Sequence, residues 1–136
     1  MYKNIIVAID LGHGEAGKEL IARARSLVDE GGTIRLIHVL EDVPSYIAAE
    51  LPRDLSDRRQ AEAKVELNLM AKELSGNSTA EVRTGAPASQ ILQAAEDHAA
   101  DQIMIASHRP GISDYFIGST AARVVRHAQC SVLITR

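Results

Sequence analysis

Runs of apolar residues alternate along this chain with stretches of helical period. Ile5-Ile6-Val7-Ala8-Ile9 is almost continuously apolar. A strand of that kind is covered on both faces, as in a parallel sheet. The pattern predicts a first strand over Asn4 to Asp10, then a loop from Asp10 to Gly14. A helix follows, with Gly17, Leu20, Ile21, Ala24, Leu27 and Val28 on one side and Gly31-Gly32 as its stop. Thr33 to Leu40 reads as the second strand. The stretch from Glu41 to Arg53, broken by Pro44 and Pro52, has no period and reads as a flap holding one short helical turn. A long helix runs from about Asp54 to Leu74, with Ala63, Leu67, Met70 and Leu74 as its stripe and Ser75-Gly76-Asn77 as its end. Ala80 to Thr84 is a short third strand. Gly85-Ala86-Pro87 turns the chain into a helix whose buried side is Ala88, Ile91, Leu92, Ala95 and Ala99. Gln102 to Ala106 is the fourth strand, the helical segment from Gly118-Ser119-Thr120 runs to Ala128, and Ser131 to Thr135 is the last strand.

Strict alternation of strand and helix implies right-handed crossovers. The expected fold is α/β: one domain over residues 1–136, an open five-stranded parallel sheet, doubly wound and Rossmann-like, with helices on both faces. Ligands of such sheets sit beyond the carboxyl ends of the strands, where the strand order reverses. If strands one and four flank that point, Asp10, the end of strand two and Ser107-His108-Arg109 share one crevice. Gly118-Ser119-Thr120 starts a helix, where unpartnered N–H groups and the dipole favour an anion. The competing reading is a plain turn and cap. Arg109 reads equally as a surface charge or as a phosphate partner.

Composition narrows the function. Hydrophobic residues make up 46% of the chain, which is globular, and a formal charge of −3 gives no pull toward nucleic acid or an anionic membrane. No apolar run approaches the roughly 18 residues of a membrane span. The opening Met1-Tyr2-Lys3-Asn4 enters a strand without a signal peptide, and the single Cys130 has no partner for an internal disulfide. A cytoplasmic location is the expectation. There is no Trp, and aromatics are few, so base stacking on single strands is poorly supported.

A literal G-x-G-x-x-G stands at Gly12-His13-Gly14-Glu15-Ala16-Gly17, after a strand and before a helix, with Glu41 and Asp42 at the end of strand two. That is the context of a dinucleotide fingerprint and makes an NAD-binding regulatory domain one alternative. Against it, Asp10 would stand close to a bound pyrophosphate. The other alternative is a flexible turn at Gly12 and Gly14 with close helix packing at Gly17. His13, His38, His98, His108 and His127 lack metal-ligand spacing, and of the five only His108 is placed to touch a ligand. Ser119 has neither a G-x-S-x-G frame nor a visible base, and Cys130 reads as a packing residue.

The chain resembles the universal stress protein family over its whole length. The landmarks are Ile5-Ile6-Val7-Ala8-Ile9-Asp10, Leu36-Ile37-His38-Val39, Gly85-Ala86-Pro87, Ile105-Ala106-Ser107-His108, and the closing run from Gly118 to Ile134. Nucleotide-binding members carry G-x2-G-x9-G-[ST]. Here Ala106 and Arg109 occupy the first two Gly positions, eight residues separate Arg109 from Gly118, and Gly118 and Ser119 are intact. These departures resemble a short single-domain subgroup with Ala-Ser-His-Arg-Pro, in which the Arg side chain would replace a Gly amide at the phosphate. The resemblance implies an adenine-nucleotide-alpha-hydrolase-like fold that binds ATP or AMP, with Mg²⁺ as a companion ion. Asp10 and the backbone of Ala8 and Val39 would hold the adenosine end. Ser107, His108 and Arg109 would meet ribose and phosphates, beside Ala106. Gly118, Ser119 and Thr120 would serve the phosphates. It also implies a homodimer through the C-terminal strand, extendable to a dimer of dimers, with no nucleic-acid or membrane partner. The expected role is a stress-response binding and signalling module. Slow ATP hydrolysis or autophosphorylation at Ser119 or Thr120 is the enzymatic alternative, weakened by the lack of a Walker lysine and of a base.

Overall fold

The sheet order is β3-β2-β1-β4-β5, and every neighbouring pair is parallel. The computed structural model describes residues 1–12, 14–41, 45–50, 53–74, 76–107 and 118–136. The strands are β1 (Tyr2–Ala8), β2 (Val28–Leu40), β3 (Asn77–Thr84), β4 (Gln102–Ala106) and β5 (Ser131–Thr135). The helices are α1 (Gly14–Leu27), α2 (Ser45–Ala48), α3 (Arg53–Lys72), α4 (Pro87–Asp97) and α5 (Ser119–His127). The chain winds outward from β1 through β2 to β3, then returns to build β4 and β5 on the other side. The order therefore reverses between β1 and β4, as the alternation of elements leads one to expect.

The continuous apolar character of β1 follows from its central place. Ile5, Val7 and Ile9 pack under α1 and α3 with Leu20, Ala24, Leu67 and Ala71. Ile6 faces the other way, toward Ile37 and Ala94 of α4. Ile103 and Ile105 of β4 meet Ala88, Ile91, Ala121 and Val124 of α4 and α5 on that second face. Each fully buried Ile or Leu stabilises the fold by about 1.5–3 kcal/mol, so both layers are needed to hold the sheet.

Three local expectations are corrected. Gly31-Gly32 does not stop α1; the helix ends at Leu27 and β2 begins at Val28. Tyr2 pairs with Val28 but Asn4 pairs with Thr33, so β2 bulges between them. The glycines make that bulge. Gly31 has φ +79°, and a Cβ on Gly32 would come within 2.7 Å of Val28 Cγ2 and 3.0 Å of the Lys3 carbonyl oxygen. Ala99 lies beyond the end of α4 and is exposed, while Ala94 takes the buried position instead. In α3 the tightly buried stripe includes Ala71, and Met70 is only half-buried. The short helical turn expected in the flap is α2; positions 42–44 and 51–52 lie outside the described residues.

Polar groups tie down the amino end of β1 and the outer edge of the sheet. The Asp101 carboxylate accepts the backbone N–H of Lys3 at 2.8 Å and of Asn4 at 3.0 Å. On the outer strand, Arg83 donates to Glu81 at 2.7 Å and to Asp97 at 2.9 Å, and His98 Nε2 lies 2.8 Å from Glu81. Charged side chains on an edge strand also discourage pairing with foreign strands.

Candidate functional site

The strand order reverses between β1 and β4, and the described residues of the expected site stand at or just past the carboxyl ends of β1, β2 and β4 and at the start of α5. Ala8 ends β1 and Val39 is the next-to-last residue of β2. Both are half-buried and pack against the apolar cluster that contains Ile105 and Ala121, on the α4 and α5 side. Asp10 follows two residues after Ala8 and is exposed. Its Oδ1 accepts the N–H of Gly12 at 3.0 Å, so the carboxylate folds back over the first turn of the β1–α1 loop. Ala106 ends β4 on the α1 side of the sheet.

Ser107 is 2% exposed and fastens this end of the site. Its N–H donates to the Thr135 carbonyl at 2.8 Å, extending the β4–β5 ladder by one bond. Its own carbonyl accepts the N–H of Gly118. The two ends of the connection from β4 to α5 therefore meet through a backbone hydrogen bond. Gly118 is the N-cap of α5, and its carbonyl accepts the N–H of Ala122 at 2.9 Å. Because Gly118 spends its N–H on Ser107, the amides α5 presents at its start are those of Ser119, Thr120 and Ala121, which have no acceptor within the helix. Ser119 is exposed and Thr120 half-buried. The positive end of the α5 dipole thus opens beside β4. His108 and Arg109 lie outside the described residues.

One residue at the site was passed over in the sequence. His38 sits in β2, and its Nδ1 lies 2.8 Å from the carbonyl oxygen of Ile9, just before Asp10. The signal was a single polar residue inside the apolar run Leu36-Ile37-His38-Val39.

The literal glycine fingerprint looks different in three dimensions. The N–H of Gly12 is taken by Asp10, which sets a carboxylate against the turn that would have to cradle a pyrophosphate. Gly17 is buried in α1 against Ile9 and Met70. Two further hollows hold none of the expected residues. One, of about 440 Å³, lies between α3 and β3 beside Asp57, Gln60 and Lys64. The other, of about 340 Å³, lies between the ends of α4 and α5 beside Glu96 and His127. Cys130 borders the second, and burial pushes its thiol pKa up, away from the reactive thiolate.

Comparison with known proteins agrees with this architecture. Residues 1–136 match the universal stress protein family. The chain is 32% identical over 145 residues to universal stress protein G of Escherichia coli O157:H7, covering all of both chains. Among solved structures, the hypothetical protein MJ0577 superposes with a TM-score of 0.85 at 23% identity, over 99% of this chain and 96% of that one. A universal stress protein solved in complex with cAMP has a TM-score of 0.70 at 19% identity, over 99% and 97% of the two chains. One from Archaeoglobus fulgidus in complex with dAMP has 0.67 at 20%, over 99% and 98%. At those identities the structures speak for the fold, whereas the full-length sequence matches carry the kinship: this chain belongs to the universal stress protein family.

Proposed function

We propose that the crevice between β1 and β4 binds an adenine nucleotide, and that the protein works as a nucleotide-responsive binding module and not as an efficient enzyme. The observation that carries this reading is the bond from Gly118 N–H to Ser107 carbonyl, which brings the start of α5 to the end of β4 at the reversal of strand order. The amides of Ser119 and Thr120 then face a phosphate, with their hydroxyls as further donors. Asp10 and the backbone of Ala8 and Val39 take the adenosine, since a carboxylate accepts from a ribose hydroxyl or the adenine amine. His108 and Arg109 follow Ser107 in sequence and serve the ribose and phosphates. AMP and ATP are the ligands of choice, the latter with Mg²⁺. Relatives of the same fold bind cAMP and dAMP, which supports an adenine ligand. A cytoplasmic role fits that class of ligand. The carboxylate held against Gly12 favours this site over an NAD site at Gly12–Gly17.

The β5 strand ends the sheet on one side, with Val132, Leu133 and Ile134 half-buried. Pairing of β5 with a second copy would cover that edge and give a homodimer, with a dimer of dimers as the next level.

The decisive experiment is to denature freshly purified protein, identify any released nucleotide by chromatography and mass, and measure AMP and ATP affinity by calorimetry. Gly118→Asp, which sets a negative charge at the start of α5, is expected to abolish binding, while Gly14→Asp leaves it in place. The opposite pattern, or release of NAD, refutes the assignment.

A further inference from the structure

Ile9 lies one residue past the end of β1, yet its backbone does not run free. Its N–H donates to the Ile37 carbonyl at 2.8 Å, and its carbonyl lies 2.8 Å from Nδ1 of His38. Two consecutive residues of β2 therefore hold both polar groups of Ile9, one through backbone and one through a side chain. The Ile9 side chain is 4% exposed and packs in the core beneath α1. Alternation along β2 puts His38 on the same face as Ile34 and Leu36, the face that carries Ile9. A carbonyl oxygen only accepts, so His38 Nδ1 carries the proton, in the neutral ring as in the cation.

The Ile9 carbonyl belongs to the peptide plane that contains the N–H of Asp10. Fixing that plane fixes the N–Cα bond of Asp10, about which φ is the one backbone rotation still able to swing its side chain. Beyond Ala8 the regular β1 pairings have ended, so a side chain supplies the next tie. The carboxylate is then steadied from the other side by Gly12 N–H at 3.0 Å.

From this geometry we propose that His38 is a positioning residue of the nucleotide site: its Nδ1–H clamps the Ile9–Asp10 peptide and so sets where the Asp10 carboxylate meets the adenosine. The proposal rests on the nucleotide reading of the crevice given above. It assigns His38 no contact with the ligand; the effect passes through Asp10 and requires it.

Calorimetric titration with AMP tests this on wild type, His38→Leu, His38→Asn, Asp10→Ala and the Asp10→Ala/His38→Leu double variant. Leu keeps bulk and removes the donor; Asn returns an N–H close to the place of Nδ1. His38→Leu is expected to weaken AMP binding about tenfold, the scale of one well-placed hydrogen bond, and His38→Asn to recover most of it. In the Asp10→Ala background the same His38→Leu change is expected to cost less than about twofold, because the group it positions is gone. Nitrogen-15 NMR of the ligand-free wild-type protein is expected to show His38 as the Nδ1–H tautomer. An Nε2–H tautomer overturns the proposal, as does an equal loss of affinity with and without Asp10. Wild-type protein that shows the Nδ1–H tautomer but binds no AMP refutes the nucleotide reading, and the positioning role falls with it.

Discussion

Gly17→Ala separates packing from ligand binding at the most ambiguous motif in the chain. Gly17 lies inside α1, buried under the sheet. A Cβ built there would stand 3.4 Å from Met70 Cε and 3.5 Å from Ile9 Cδ1 and Cγ2, which is ordinary van der Waals contact. A helix-interior Gly is about 1 kcal/mol less favourable than Ala. The added methyl buries apolar surface worth up to about 0.8 kcal/mol, part of which is offset by a small shift of the flexible Met70 end. The net expectation is a gain of about 1 kcal/mol, or about 3 °C in Tm for a chain of this size. Urea unfolding followed by circular dichroism reads it as a higher midpoint with an unchanged slope. AMP affinity is expected to stay within about twofold, because Gly17 packs on the core and leaves the crevice alone. A loss of more than about 1 kcal/mol refutes the packing account, since it would mean that α1 lies closer to β1 than described. A stable variant that no longer binds nucleotide would put the ligand against α1, as the dinucleotide reading requires.

Two further perturbations probe polar contacts outside the site. Asp101→Ala removes the acceptor of two backbone N–H groups, on Lys3 and Asn4, and is expected to cost about 2 kcal/mol in urea unfolding. Asp101→Asn, which keeps one acceptor oxygen, is expected to lose less; an Ala variant as stable as wild type contradicts the account. Hydrogen bonds from Arg83 and then Gln93 hold the Asp97 carboxyl below its ordinary value of 3.8. A carboxyl lowered in the folded state contributes stability that is present above the unfolded-state pKa and lost as pH falls through the folded one. Arg83→Met is therefore expected to move the NMR titration of Asp97 upward, toward its ordinary value, and to flatten the acid limb of the stability curve. An unmoved titration shows that the pair does not persist in solution.

The sequence by itself determined the class of fold. Ile5 to Ile9 and Gln102 to Ala106 are apolar at every step or nearly so, and helical periods separate the strands. Only a parallel sheet covered on both faces buries such runs, so strand number, alternation and the two helical layers could all be read. The same local logic failed at Gly31-Gly32, where a bulge in β2 and a helix stop demand the same residue type. It failed again at Ala99, because periodicity does not show that α4 ends at Asp97. Of the site, Asp10, Ser107 and Gly118 were legible as residues that follow strands or start helices, and the structure gathers them at one end of the sheet. Only the tertiary structure decided how they are joined. The bond from Gly118 to Ser107 and the reach of His38 to Ile9 each depend on where two stretches of chain stand relative to one another, whereas the grip of Asp10 on Gly12 is a local turn. Burial leaves a period in the sequence because many residues share it. A single hydrogen bond between segments leaves none, since at least one partner is a backbone N–H or carbonyl that nearly every residue carries.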